Sequence, residues 1–244
     1  MTKKIFPILM LFITVNVATA QPDINYLDNV GYFKISAGGL MPGENFSSTE
    51  PNGLFAENGY QIGLDLNYMI AYGFGLGLNL EFDQFKFNSE EFFKYTNAET
   101  MKAQKHYSST KFGLNVLFNV PVKLDSDDWV LNFYAEGNAG IRSMNMPDID
   151  LTYNEIANKY VEVTYRSRSN TMGYLGYSGG LKFLFLEKFG VNLSYNALLK
   201  SRHSIKYSVR MFDAAEELYE EENYAHDYLD HTGFQIGFLF LFGR

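Results

Sequence analysis

Between Gly73 and Asp83 the chain reads GFGLGLNLEFD. Phe74, Leu76, Leu78, Leu80 and Phe82 are large and apolar, whereas Gly75, Gly77, Asn79, Glu81 and Asp83 are small or polar. Successive side chains of a strand point to opposite faces, so a period of two makes one greasy face and one wet face. It excludes a helix, which needs spacings of three and four. The same alternation returns near residues 31–40, 60–70, 112–120, 129–141, 175–185, 191–199 and 234–242, which predicts eight strands. Their connections alternate as well. Those near 71–73, 121–128 and 187–189 are short, and those near 41–58, 87–106, 143–170 and 202–227 are long and polar. In an antiparallel order, every short turn then falls at one end and every long loop at the other, the asymmetry of transmembrane β-barrels.

The N-terminus sets the compartment. Lys3 and Lys4 precede an apolar run from Ile5 to Val17, which ends at Ala18-Thr19-Ala20. A charged start, an apolar segment too short to span a bilayer and a small-x-small site predict a cleaved signal peptide over residues 1–20, with a mature barrel over 21–244. The chain contains no cysteine, which excludes disulfides, thiolate metal sites and a lipid-anchored lipoprotein. No apolar run after Ala20 approaches the ~20 residues of a membrane helix. The formal net charge of −8 argues against nucleic-acid binding, which calls for a basic face.

The remaining question is which solvent meets the greasy face. A soluble barrel would turn it inward, yet an eight-stranded interior has room only for side chains or one small ligand. The apolar set is too bulky for that space, and the opposite face is rich in Gly, Asn and Ser, as suits a crowded, hydrated lumen. The reading is therefore an all-β, closed, antiparallel up-and-down transmembrane barrel of eight strands, whose apolar face meets lipid. Parity places Asp65, Asn79, Glu81, Asp83, Lys111, Glu136, Arg142, Lys182 and Lys200 on the inner face, where opposite charges are expected to pair. Tyr68, Tyr72, Phe74, Phe118, Trp129, Phe185, Phe189, Phe240 and Phe242 cluster by the short turns, as an aromatic girdle does at a membrane interface.

With its signal segment, strand number, loop asymmetry and terminal TGFQIGFLFLFGR, the chain resembles the small eight-stranded outer-membrane barrels related to the OmpA membrane domain and OmpX, in the form widespread in Bacteroidetes. That resemblance implies an outer-membrane location and a last strand read by the barrel-assembly machinery. The family usually finishes on an aromatic, whereas here Phe242 is followed by Gly243-Arg244. Outer-membrane lipid and lipopolysaccharide are the expected surroundings.

Few residues invite chemistry. The acidic stretch FDAAEELYEEENYAHD, with Asp213 and Glu216 at capping-like spacing, predicts a short exposed helix from Ala214 to about Glu222. It lacks the loop geometry of a calcium site. His106, His203, His226 and His231 show no metal-ligand spacing. In SRHSIKYS, the adjacent His203 and Ser204 would point opposite ways along a strand, and Ser201 stands in reversed order to a hydrolase pair. Neither a catalytic residue nor a metal or cofactor is assigned. Ile149, Leu151 and Tyr153 alternate, as do Val161, Val163 and Tyr165. This predicts that the fifth and sixth strands project beyond the membrane as a hairpin whose free edges recruit a partner, with a ten-stranded barrel as the rival topology. The functional expectation is a non-enzymatic structural or partner-binding surface protein, within an envelope complex. A narrow gated channel is the alternative, with a lipid-modifying hydrolase behind it.

Overall fold

The computed structural model describes residues 29–50, 53–71, 73–104, 106–123, 129–154, 160–167, 169–185, 188–199, 202–213 and 216–243. The predicted signal peptide lies outside them, as do Tyr72, Lys200 and Ser201. In chain order the elements are β1 (Gly31–Pro42), α1 (Glu44–Ser47), β2 (Ala56–Ala71), β3 (Phe74–Phe87), α2 (Ser89–Thr96), β4 (Thr100–Ala103), β5 (His106–Lys123), β6 (Trp129–Asn145), β7 (Ile149–Asn154), β8 (Tyr160–Ser167), β9 (Asn170–Phe185), β10 (Phe189–Leu198), β11 (Arg202–Asp213), β12 (Glu216–Tyr228) and β13 (His231–Phe242).

Eight of these strands close into a barrel in the order β1-β13-β10-β9-β6-β5-β3-β2. The seam is the pairing of first strand with last, from Gly31 opposite Phe242 to Pro42 opposite His231. All ladders are antiparallel. The alternation read from sequence is also the alternation of burial. Leu114 is 64% exposed on the outer face and Asn115 beside it is 1% exposed inside. Phe238, at 68%, is still more exposed. Large apolar side chains form the outer wall on every barrel strand, and water would not tolerate that surface. Closure pairs the backbone groups that hydrocarbon cannot hydrate, so lipid does tolerate it. The tight turn between β2 and β3 needs Gly73, whose φ of +76° disfavours other residues and whose absent Cβ would lie 2.2 Å from the Asn119 carbonyl oxygen.

The long connections depart from the sequence reading. Instead of remaining polar loops, the second, third and fourth build a second sheet in the order β12-β11-β8-β7-β4, while the first carries α1. The hairpin of β7 and β8 exists, with Leu151 opposite Val163, but it does not prolong the barrel strands. β6 stops at Asn145 and the chain changes sheet across residues 146–148. The ten-stranded alternative is thereby corrected to eight. The helix expected over 214–222 is corrected as well, since Glu216–Tyr228 is a strand paired with β11. In that register Glu220 meets Arg210 at 2.9 Å and Glu222 meets Lys206 at 2.5 Å. Cross-strand cations relieve the like-charge repulsion that a helix would have left in place.

The lipid-facing assignment is testable by charge. Leu78→Arg, at mid-height on the outer wall, is expected to cost about 2–4 kcal/mol, and Met41→Arg, near the rim, about 0–1 kcal/mol. Urea unfolding from lipid vesicles, followed by the fluorescence of the single tryptophan, Trp129, measures both. Equal costs would contradict the assignment.

Candidate functional site

Because the outer wall is apolar, any polar function of the barrel must be sought inside it or above it. Inside, register places opposite charges side by side. Lys34 lies directly across from Asp65, and Lys111 across from Glu81. Lys34 Nζ is 2.8 Å from Asp65 Oδ2, and Lys111 Nζ is 2.5 Å from Glu81 Oε2 and 3.3 Å from Asp83 Oδ2. Arg142 reaches Asp83 at 3.8 Å and donates through Nε to Ser109 Oγ at 2.9 Å. Ser109 in turn donates to Asp83 Oδ2 at 3.1 Å. Asn115 donates to Asp65 Oδ1 at 3.2 Å. Lys182 donates to the Tyr32 hydroxyl at 2.6 Å and to Asn119 Oδ1 at 2.9 Å, with its ammonium over the rings of Tyr32 and Tyr134. Lys34, Lys111, Arg142 and Lys182 thus share the interior with Asp65, Glu81, Asp83 and Glu136, a balance of charge that a confined lumen requires.

Glycine is part of this packing. A Cβ at Gly113 would sit 2.4 Å from the Tyr174 hydroxyl and 2.7 Å from Asn79 Oδ1, and these two groups hydrogen-bond each other. The charged layer is closed at both ends. Toward the short turns, Val30, Tyr32, Met69, Leu117, Val130, Leu184, Leu239 and Leu241 form a buried apolar layer. Toward the long connections, a second buried cluster includes Leu40, Phe46, Phe85, Tyr107, Met144 and Leu229, and continues into the outer sheet through Ile149, Leu151 and Val163. The cavity between the layers measures about 20 Å³, roughly one water.

The inner-face residues named from sequence occupy the lumen wherever they are described, and Lys200 lies outside the described residues. Lys34, the partner of Asp65, was missed because the first strand is weakly patterned, although its even parity was the available signal. His231, at the long-connection end of β13, lies buried at the top of the lumen, 3.8 Å from Asp83 and against the Phe85 ring. Among the girdle residues, Tyr68, Phe74, Phe118, Trp129, Phe189, Phe240 and Phe242 are exposed on the outer wall and Phe185 is half-buried between Trp129 and Phe189. Ile149, Leu151 and Val163 are buried, and Tyr153, Val161 and Tyr165 pack partly against the same cluster. The proposed hairpin contact surface therefore faces the protein's own core. Both edges of the hairpin are taken, by β4 and by β11. Apolar faces bury against each other before they meet a partner. Among the described residues no group of His, Asp and Glu is placed to hold a metal ion.

The chain is a membrane-spanning β-barrel of eight strands. No protein-family model matches it, and no curated protein matches it in sequence. Solved structures similar to it include Neisserial surface protein A, with 10% identity and a TM-score of 0.46 over 87% of this chain and 99% of that one. Ail, the attachment invasion locus protein of Yersinia pestis, matches with 11% identity and a TM-score of 0.42 over 88% and 99%. The N-terminal β-barrel domain of Pseudomonas aeruginosa OprF matches with 14% identity and a TM-score of 0.36 over 87% and 98%.

The barrel's interior predicts a sharp contrast between ion pairs. Asp83→Ala strips Arg142 and Lys111 of a shared carboxylate, and is expected to cost about 3–5 kcal/mol in urea unfolding, because a buried charge loses its partner. Lys94→Ala removes an exposed pair on α2, to Glu91 at 2.6 Å, and is expected to leave the unfolding midpoint in place. If both variants unfold alike, the lumen network is not a structural element of the barrel.

Proposed function

We propose that this protein is a non-enzymatic outer-membrane barrel that conducts little and holds the five-stranded sheet at the cell surface as a partner-binding element. The observation that carries the reading is the outer edge of β12. Among the described residues β12 pairs on one side only, with β11. An edge strand of 13 residues offers unpaired N–H and C=O groups, which a strand from another chain can satisfy. Its sequence, EELYEEENYAHDY, carries Glu and Asp but no Lys or Arg, so the complementary segment is basic. The site thus moves from the hairpin singled out by the sequence to the strand beyond it.

The filled lumen supports an anchoring role over a channel. A conducting path would have to cross two apolar layers and a paired charged layer. Planar-bilayer recording is expected to show no sustained conductance steps for the wild-type protein or for Lys182→Met. Steps that vanish in Lys182→Met would favour the channel instead.

The partner-binding reading is tested by purification from the native membrane in mild detergent, with mass spectrometry of what accompanies the protein. Tyr219 and Glu221 are exposed on β12, and Glu221 lies outside the two cross-strand ion pairs. A stoichiometric companion is expected with wild type and is expected to be lost in Tyr219→Ala/Glu221→Lys while the urea midpoint stays unchanged. A solitary barrel, or a companion retained by the double variant, overturns the reading.

A further inference from the structure

Between the outer sheet and the rim of the barrel lies a chamber of about 650 Å³, within the ~300–1,000 Å³ of typical small-molecule sites. One wall is a set of phenylalanines. Phe55 and Phe87, which flank the mouth of the β2–β3 pair, each pack on Phe92 of α2 with ring centroids 5.4 Å apart. The helix is held in place by Asn88, whose side chain accepts from the Glu91 N–H at 3.1 Å, and it ends on Asn97 in the left-handed conformation. The other wall is tyrosine. Tyr165 of β8 and Tyr207 of β11 lie 5.9 Å apart. Burial, with Tyr153 and Tyr207 beside it, raises the pKa of the Tyr165 hydroxyl, so it remains a donor at neutral pH.

The lining is selective in what it omits. Among the described residues, nine of the sixteen that line it are Phe or Tyr, and none is Asp, Glu, Asn, Gln, Lys, Arg or His. A charged ligand would lose its hydration there and find no counterion. A sugar would find none of the carboxylate and amide groups that fix an array of hydroxyls. An acyl chain would meet mostly ring faces and edges rather than aliphatic groups. Rings pair favourably with rings in offset or edge-on geometry, and the hydroxyls of Tyr95, Tyr165 and Tyr207 supply donors for a polar atom at the ligand's edge. The nearby Lys206 ammonium, 5.8 Å from the Tyr224 ring, is committed to Glu222 at 2.5 Å.

We propose that this chamber binds an uncharged, predominantly aromatic small molecule, held between the phenylalanine and tyrosine walls with its polar atom on the tyrosine hydroxyls. The site is separate from the β12 edge, and its test uses different residues. Equilibrium dialysis of 2-naphthol against the protein in lipid nanodiscs, with empty nanodiscs as the reference for partitioning into lipid, reads binding directly. One saturable site per protein is expected. The carboxylate analogue 2-naphthoate has the same ring system and is expected to bind at least tenfold more weakly. Phe92→Ala removes one wall, Tyr207→Glu places a charge in the other, and each is expected to weaken 2-naphthol at least tenfold. Tyr207→Phe keeps the ring and is expected to weaken it only a few-fold, which guards against misfolding as the explanation. The proposal is overturned if 2-naphthol is retained no better than by empty nanodiscs. It is overturned equally if naphthoate matches naphthol, if the Phe92 and Tyr207→Glu variants bind like wild type, or if decanol saturates the site where 2-naphthol does not.

Discussion

Every other feature of this molecule depends on the ladder between β1 and β13. Hydrocarbon offers no hydrogen-bond partner, so an open sheet edge within it would leave a row of N–H and C=O groups unpaired at a cost of several kcal/mol each. Twelve residue pairs, from Gly31–Phe242 to Pro42–His231, remove that edge. Closure then fixes an inside and an outside, and the period of two along each strand sorts side chains between them. Lipid receives leucine, isoleucine, valine and phenylalanine, and the interior receives what lipid refuses.

An eight-stranded interior is narrow, so what enters it must fit and must be neutralised. Charges facing each other across strands do both, and they also oppose slippage. A shift of β2 by one residue would turn Asp65 out to lipid and leave Lys34 without its carboxylate. The same narrowness explains the apolar layers above and below. Where Met69, Leu117 and Leu239 meet near the short turns, and Leu40, Phe85 and Met144 meet near the long connections, water is excluded and the charged layer is insulated from both sides. A barrel built this way is a stiff support rather than a conduit.

The outer sheet obeys the opposite rule with the same alternation. In the barrel the apolar side chains face out to lipid. In β7, β8 and β11 they face the barrel rim and join the cluster around Phe46 and Phe85, while the other face carries ion pairs such as Arg166–Asp150 at 2.6 Å and Arg210–Glu220. Water, not lipid, surrounds this part, so the apolar face must turn inward. The two halves meet where Phe85, Phe87 and Tyr107 leave the lumen and become the base of the outer sheet, and Tyr107 donates its hydroxyl hydrogen to the Leu54 carbonyl.

Much of this was legible in the chain as written. The period of two, its eightfold recurrence, the asymmetry of turns and loops and the identity of the inner charges all follow from local order, because a strand's faces are set by parity alone. Three things were not local. Lys34 faces the lumen by parity, but its partner Asp65 is chosen by register, which joins residues from different strands. Glu216–Tyr228 becomes a strand because β11 supplies Arg210 and Lys206 across the ladder, whereas the isolated segment reads as a helix. The six apolar positions of the β7–β8 hairpin announce a buried face, but what buries it comes from residues on either side of α1 and α2, far away in sequence. Sequence by itself determined which residues share a face and that one face cannot meet water. Only the tertiary structure decided what each face meets, because long-range pairing and burial choose the neighbour that local periodicity leaves open.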